Sequence, residues 1–499
     1  MTPAPSPSPS HRVDISTKIF FGVGEFATAT KGYSMHAFLL FYYTQVLGLE
    51  GWLTGLALGV AIVFDAINDP IVGSVSDNWR SRLGRRHPLM WISLAPMCIT
   101  FYYLWLPPAG LGQYELFAWL TVFAVLARSF MTFFQIPHNA LGAELSPDYS
   151  ERSRIWGYAQ LFGWLGGGTF AAIAYTIVFK KTEAFENGLL NPSAYPDLAM
   201  LGVVYIAVGI VLSTAFTQRA ARALPEQAPP KESFSFHRLY REGTQALQNR
   251  NFRVLFVGIL LGGALGGIGG TMALHMQTYF WGLMPSQIQY FIYAGFAVNM
   301  LVFICIQTIA ARFEKKKLLI GLSAFAMIDS ITVISARLLG WLPDNGDPLL
   351  LPIIVTTWSL GTAAGAITHI VARSMIADVV DEQEVVTGER QEGMFYSALA
   401  FSGKAVSGLG AMLGGFVLSA IQFPTNVDAT GVAADVIFRM GLFMGPVLGS
   451  LWLIPIGVYL LYSLDRTRHA AIQQQLSEIR DARLEPASAP LEASVAGGQ

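Results

Sequence analysis

Residues 64–88 read FDAINDPIVGSVSDNWRSRLGRRHP, an apolar segment that carries Asp65 and Asp69 and then gives way to a run of arginines. A carboxylate at the middle of a membrane helix costs about 2.5–3.5 kcal/mol on insertion scales, so two in one span need compensating partners. Asp65, Asn68 and Asp69 stand at i, i+3 and i+4 and therefore share one helix face. Three oxygen-bearing side chains on one face form part of a shell for a hard cation, which prefers carboxylate and carbonyl oxygens. The alternative is a carboxylate pair that locks helices together through hydrogen bonds.

The rest of the chain has the composition such a segment needs. Of its 499 residues 53% are hydrophobic and 13% charged, with mean hydropathy +0.47, whereas soluble domains carry roughly 25% charge. The class is an all-α polytopic membrane protein. A net charge of −1 offers nucleic acid no electrostatic footprint. Cys98 and Cys305 sit in apolar runs and read as small buried hydrophobes. No metal-ligand spacing or nucleophile and base motif stands out, so neither an enzyme nor a cofactor is expected, only Na⁺ or H⁺ as a coupling ion.

Hydropathy places about twelve spans near 18–47, 51–77, 88–107, 115–142, 154–179, 197–218, 252–282, 286–311, 317–340, 349–377, 392–421 and 434–464. Lys and Arg gather in the links after the even-numbered spans, with Lys180 and Lys181 as the exception. The positive-inside rule then puts both termini in the cytoplasm, and the lack of an Asn-x-Ser/Thr acceptor with a permitted middle residue fits a bacterial inner membrane. The expected organisation is a disordered Pro/Ser-rich tail (1–14), a six-helix bundle (15–221), a cytoplasmic linker (222–250), a second six-helix bundle (251–465) and a C-terminal cytoplasmic tail (466–499), forming a monomer. Glu151, Arg152 and Tyr158 recur as Glu389, Arg390 and Tyr396, a weak internal repeat of the kind found in transporters whose substrate site lies between two halves.

Several more polar residues fall inside spans. Thr132, Gln135 and Asn139 form a stripe on span four, and Glu25, Ala29, Gly32 and His36 form one on span one that leaves room between polar groups. Lys404 in span eleven is too far from the interface to snorkel comfortably, which makes the Asp65 and Asp69 pair its natural counter-ion. His275 is a weaker candidate for the substrate site, and Asp329 in span nine has no account. Asp77 with Arg80, Arg85 and Arg86, and beyond them Arg152 and Arg390, are positioned for a charge network at a cytoplasmic gate, whether moving or static.

The stretches GVGEFATATKGYSMHAFLLFYYTQVLGL, DAINDPIVGSVSDNWRSRLGRRHP and ADVVDEQEVVTGERQEGMFYS followed by GK together resemble the glycoside–pentoside–hexuronide:cation symporters, the melibiose-permease branch of the major facilitator superfamily. The resemblance implies twelve helices in two six-helix bundles, a cation site at Asp65, Asn68, Asp69 and Thr132, and a coupling role for Lys404 between cation and sugar. The sugar positions depart from the branch. Ala29 stands where it has an aspartate, Gln135 and Asn139 replace an aspartate and a tryptophan, Gln160 replaces an arginine, and its Tyr-Tyr-Thr-Asp ends in Gln45. Amides still bind hydroxyls and do not repel an anion. The expected function is symport of a sugar, glycoside or uronide by alternating access. The alternatives are a cation-coupled carrier of an amphiphile such as a lysolipid, and a membrane sensor that transports nothing.

Overall fold

The computed structural model describes residues 13–146, 148–222, 241, 244–388, 392–428 and 431–484, and part of the helix Glu392–Ala420 by its backbone alone. Most of the 222–250 linker, Arg390 and the side chain of Lys404 lie outside the described residues.

Each of the twelve expected spans is helical, and no strand occurs among the described residues. Nine helices among them are long and apolar enough to cross a membrane, as buried backbone groups in lipid require. Span one differs from a single rod: it runs as Ile15–Val23 and Glu25–Ala37, then ends in a π-helical turn, Tyr42–Val46. The short span three is His87–Leu104.

Span seven (Arg250–His275) ends the same way, in the π turn Met276–Phe280. The two turns are copies of one device. Thr44, Gly48 and Leu49 correspond to Thr278, Gly282 and Leu283, and both glycines take positive φ (78° and 62°), where a side chain is disfavoured. Leu49 N donates to Tyr43 O as Leu283 N does to Gln277 O, each at 2.8 Å.

The halves meet where these turns face each other. Phe41 contacts its counterpart His275 (ring centroids 5.1 Å apart), and the hydroxyl of Tyr279 donates to its counterpart Gln45 at 2.9 Å. Nearby, span two (Gly51–Asn78) crosses span eleven (Glu392–Ala420) through bare backbone. A Cβ on Gly415 would lie 2.3 Å from Gly51 O and 2.6 Å from Gly55 Cα, so only glycine permits this approach. The two halves are thus closed together at the end remote from the arginines. There the core is aromatic, with Tyr42, Tyr43, Trp105, Phe179 and Tyr195 all buried.

At the arginine-rich end each half has its own ion network. Arg86 bonds Asp77 at 2.5 Å and Glu144 at 2.6 Å, and Arg85 bonds Glu144 at 2.9 Å. In the other half Lys315 bonds Asp378 at 2.7 Å. Glu144 and Asp378 stand equally far along the chain from the threonines of the repeated turns, so both halves tie their second link to their fourth span in the same manner. Within the expected tail, Arg466–Leu484 forms a helix whose Ile472 and Leu476 are buried, while Arg468 bonds Glu382 at 3.0 Å.

Candidate functional site

Span four (Gln113–Glu144) runs alongside span two and sets Thr132 against its acids. Thr132 Oγ1 lies 3.0 Å from Asp65 Oδ1, 3.1 Å from Asp69 Oδ1 and 3.2 Å from the Arg128 carbonyl. A hydroxyl has one hydrogen to donate, so these three acceptors cannot all be served at once. Oxygens therefore converge with fewer hydrogens than contacts, a corner suited to a cation. Asn68 adjoins it, its amide nitrogen 3.4 Å from Ser129 O. Asp65 and Thr132 are buried, and each carboxylate has a further interaction beyond these. The backbone of Lys404 lies on span eleven about 12 Å before Met412, which packs against Gly59 of span two. That register brings its Cα toward the level of Asp65.

One residue at this corner escaped the sequence reading. Arg128 Nη1 reaches Asp65 Oδ2 at 3.2 Å. With Thr132, Gln135 and Asn139 it makes an i, i+4, i+7, i+11 stripe, so the signal that revealed three of these residues extends to the fourth.

The residues expected to meet a substrate divide into groups. A Cβ added to Gly32 would meet nothing within 4 Å, and His36 and Gln160 are exposed although both lie within spans, so an open space borders spans one and five. Ala29 packs on Gly167 of span five. Gln135 and Asn139 are half-buried and make no side-chain hydrogen bond among the described residues. Glu25 turns away to His138, 3.6 Å from its Nδ1. His275 is a correction: it is fully buried in the closed end, 3.1 Å from Thr44 Oγ1 and among Phe41, Phe423 and Tyr279. It belongs to the seam between the halves, not to the open space.

Gln45 explains itself here. It is almost wholly buried, accepts from Tyr279 Oη and donates to the Pro424 carbonyl at 3.3 Å. An amide serves both partners, whereas a carboxylate has no hydrogen for Pro424.

Of the proposed gate residues, Asp77, Arg85 and Arg86 join the network around Glu144, a partner the sequence reading had not named. Burial opposes the charge on Arg86, but Glu144 and Asp77 outweigh it and raise its pKa. Arg80 instead reaches the backbone carbonyls of Asp77 and Trp79, and Arg152 reaches that of Ser146 at 2.7 Å.

Comparison with known families decides the class. The family described as MFS/sugar transport protein matches residues 20–466. The chain belongs to it. This transporter, which is therefore not an enzyme, is 25% identical to the glucuronide carrier protein homolog of Escherichia coli, over 85% of each chain. It is 24% identical to the sodium-dependent lysophosphatidylcholine symporter 1 of Gallus gallus, over 94% of this chain and 90% of that one. Among solved structures, the inward-open xylose transporter of E. coli shares the fold at 12% identity, with TM-score 0.54 over 90% of this transporter and 96% of that chain. The glycoside–pentoside–hexuronide:cation symporter resemblance carried by its motifs agrees with these matches.

Proposed function

We propose that this transporter is a cation-coupled symporter whose ion, Na⁺ or H⁺, binds at Asp65, Asp69 and Thr132 with Asn68 beside them. The observation that carries the reading is the single Thr132 hydroxyl shared by two carboxylates inside a membrane span. A cation there neutralises charge that otherwise opposes reorientation of the two bundles. Lys404 couples that charge to the substrate. The basic links face the cytoplasm of a bacterial inner membrane, with residues 15–221 and 251–465 as the rocking bundles and the Arg86 and Lys315 networks at the cytoplasmic gate.

The cargo is a sugar, glycoside or uronide received at His36, Gln135, Asn139 and Gln160. The supporting feature is the run of amides and imidazole beside open space, which suits hydroxyls. A lysolipid is the second reading, favoured by the relative named for lysophosphatidylcholine. Uptake into proteoliposomes under imposed Na⁺ or H⁺ gradients, over a panel of sugars, uronides and lysolipids, tests both readings. Asp69→Asn is expected to abolish gradient-driven accumulation while leaving substrate exchange measurable. Unchanged accumulation in that variant refutes the assignment of the ion site, and binding without counterflow in the wild type refutes transport.

A further inference from the structure

Arg128 is a permanent cation at the corner where a mobile cation is proposed to bind. Its guanidinium has five N–H groups and cannot be deprotonated. Only Nη1 is engaged among the described residues, with Asp65 Oδ2 at 3.2 Å, and Nε is buried with no hydrogen-bond partner. Asp65 divides its oxygens between the two parties, Oδ2 to Arg128 and Oδ1 to Thr132. The guanidinium stands one turn from Thr132 on the helix face that continues to Gln135 and Asn139, two half-buried amides without a side-chain hydrogen bond among the described residues.

We propose that Arg128 exchanges partners during transport: it holds Asp65 when the ion site is empty, and a carboxylate or phosphate group of the substrate when the ion is bound. The proposal rests on the reading of the ion site above and names the substrate class, an anion. An ion entering between Asp65, Asp69 and Thr132 competes with Arg128 for Asp65, and the two like charges repel. A guanidinium displaced within a membrane span needs another anion, and its unused donors match the two oxygens of a carboxylate or phosphate. Ala29 and Gln135, neutral where the resembled branch has aspartates, remove the acids that would otherwise claim the freed guanidinium or repel the substrate. Because each ligand favours the state the other selects, ion and anion strengthen one another's binding.

The test uses the full-length chain in proteoliposomes, with ²²Na⁺ binding, an imposed pH gradient, and three probes: phenyl β-D-glucuronide, phenyl β-D-glucoside and lysophosphatidylcholine. The wild type is expected to prefer the glucuronide over the matched neutral glucoside by roughly tenfold, and more strongly with the driving ion present. A preference for lysophosphatidylcholine over both glycosides assigns the anion to a phosphate instead, and supports the same exchange if Arg128→Gln removes it. Arg128→Gln is expected to erase the anion preference and to tighten ion binding, since the tethered competitor is gone. Arg128→Lys keeps the charge but not the fork, so it should restore the weak ion binding and only part of the anion preference. This second variant also gives a reading if Arg128→Gln does not fold. Wild-type anion preference and ion affinity in a folded variant overturn the proposal alone. A wild type with no dependence on Na⁺ or pH overturns the symport reading as well.

Discussion

Gln45→Leu should loosen the closed end of the transporter by an amount set by one carbonyl. Gln45 is 2% exposed and spans the seam between the halves, accepting from Tyr279 Oη at 2.9 Å and donating to Pro424 O at 3.3 Å. Leucine retains the bulk but makes neither bond. Tyr279 keeps an acceptor, the Val427 carbonyl at 3.0 Å, so the principal loss is the donor to Pro424. Leaving a buried acceptor without a partner costs about 1–3 kcal/mol. Both partners lie across the seam, so the cost falls on the closed conformation and disappears when the halves part. The closed-to-open ratio should drop by about 5- to 150-fold. Spin labels at Tyr114 and Trp341, exposed and on opposite halves at this end, report the separation by pulsed EPR in a background lacking Cys98 and Cys305. A longer distance should gain population in Gln45→Leu, and also in Gln45→Glu, whose carboxylate cannot donate. Distributions identical to the parent in both variants would refute the role given to the amide.

The same labels test Gly415→Val, whose Cβ would meet Gly51 O at 2.3 Å: the open-end population should dominate and uptake should collapse, and normal closure would show the backbone contact to be dispensable. In the arginine network, Glu144→Gln removes the carboxylate shared by Arg85 and Arg86, and breaking such a largely buried pair costs about 3–5 kcal/mol. Asp77 is 40% exposed, so Asp77→Asn should cost at most about 1 kcal/mol. Thermal unfolding in detergent separates them, and equal shifts would contradict the ranking. Gly270→Ala places a methyl 2.4 Å from His36 Nε2, at the movable end of a side chain. Uptake should fall with the melting temperature unchanged, because the displaced imidazole no longer meets the cargo, and His36→Ala alone should lower uptake likewise; wild-type uptake in both variants would remove His36 from the substrate site.

The spans were legible because lipid demands about twenty apolar residues for each crossing, a signal that survives any change of detail. Asp65, Asp69 and Thr132 were legible because acids in such spans are rare and two of them shared a helix face. Arg128 belongs to the same polar stripe, but its pairing with Asp65, 63 residues away, needed the fold. Glu144 needed the fold, since its partners Arg85 and Arg86 lie nearly sixty residues away in sequence. The contact of Gln45 with Pro424, 379 residues apart, has no local signature at all. The π turns are likewise set by which carbonyl each N–H finds; only their shared Thr and Gly-Leu spacing is written in the sequence. His275 misled for a physical reason: a lone histidine in a span reads alike whether it faces a cavity or closes a seam.

The repeated features and the unrepeated ones divide the labour between the halves. The π turns with their glycines and the paired Arg86–Glu144 and Lys315–Asp378 contacts occur in both, at opposite ends of the helices. Each ties together elements of its own half. The chemistry is not repeated. Span eight (Pro285–Arg312), the counterpart of span two, has no carboxylate, and its Asn299 is turned to its own helix at Gly295 O, 2.8 Å away. Span seven offers bare glycine, Gly270, to His36. The two acids are carried by one half, while span eleven of the other half packs against the very helix that carries them. The site proposed for the ion thus adjoins the surface along which the two halves meet, where a change of charge is best placed to bias which end opens.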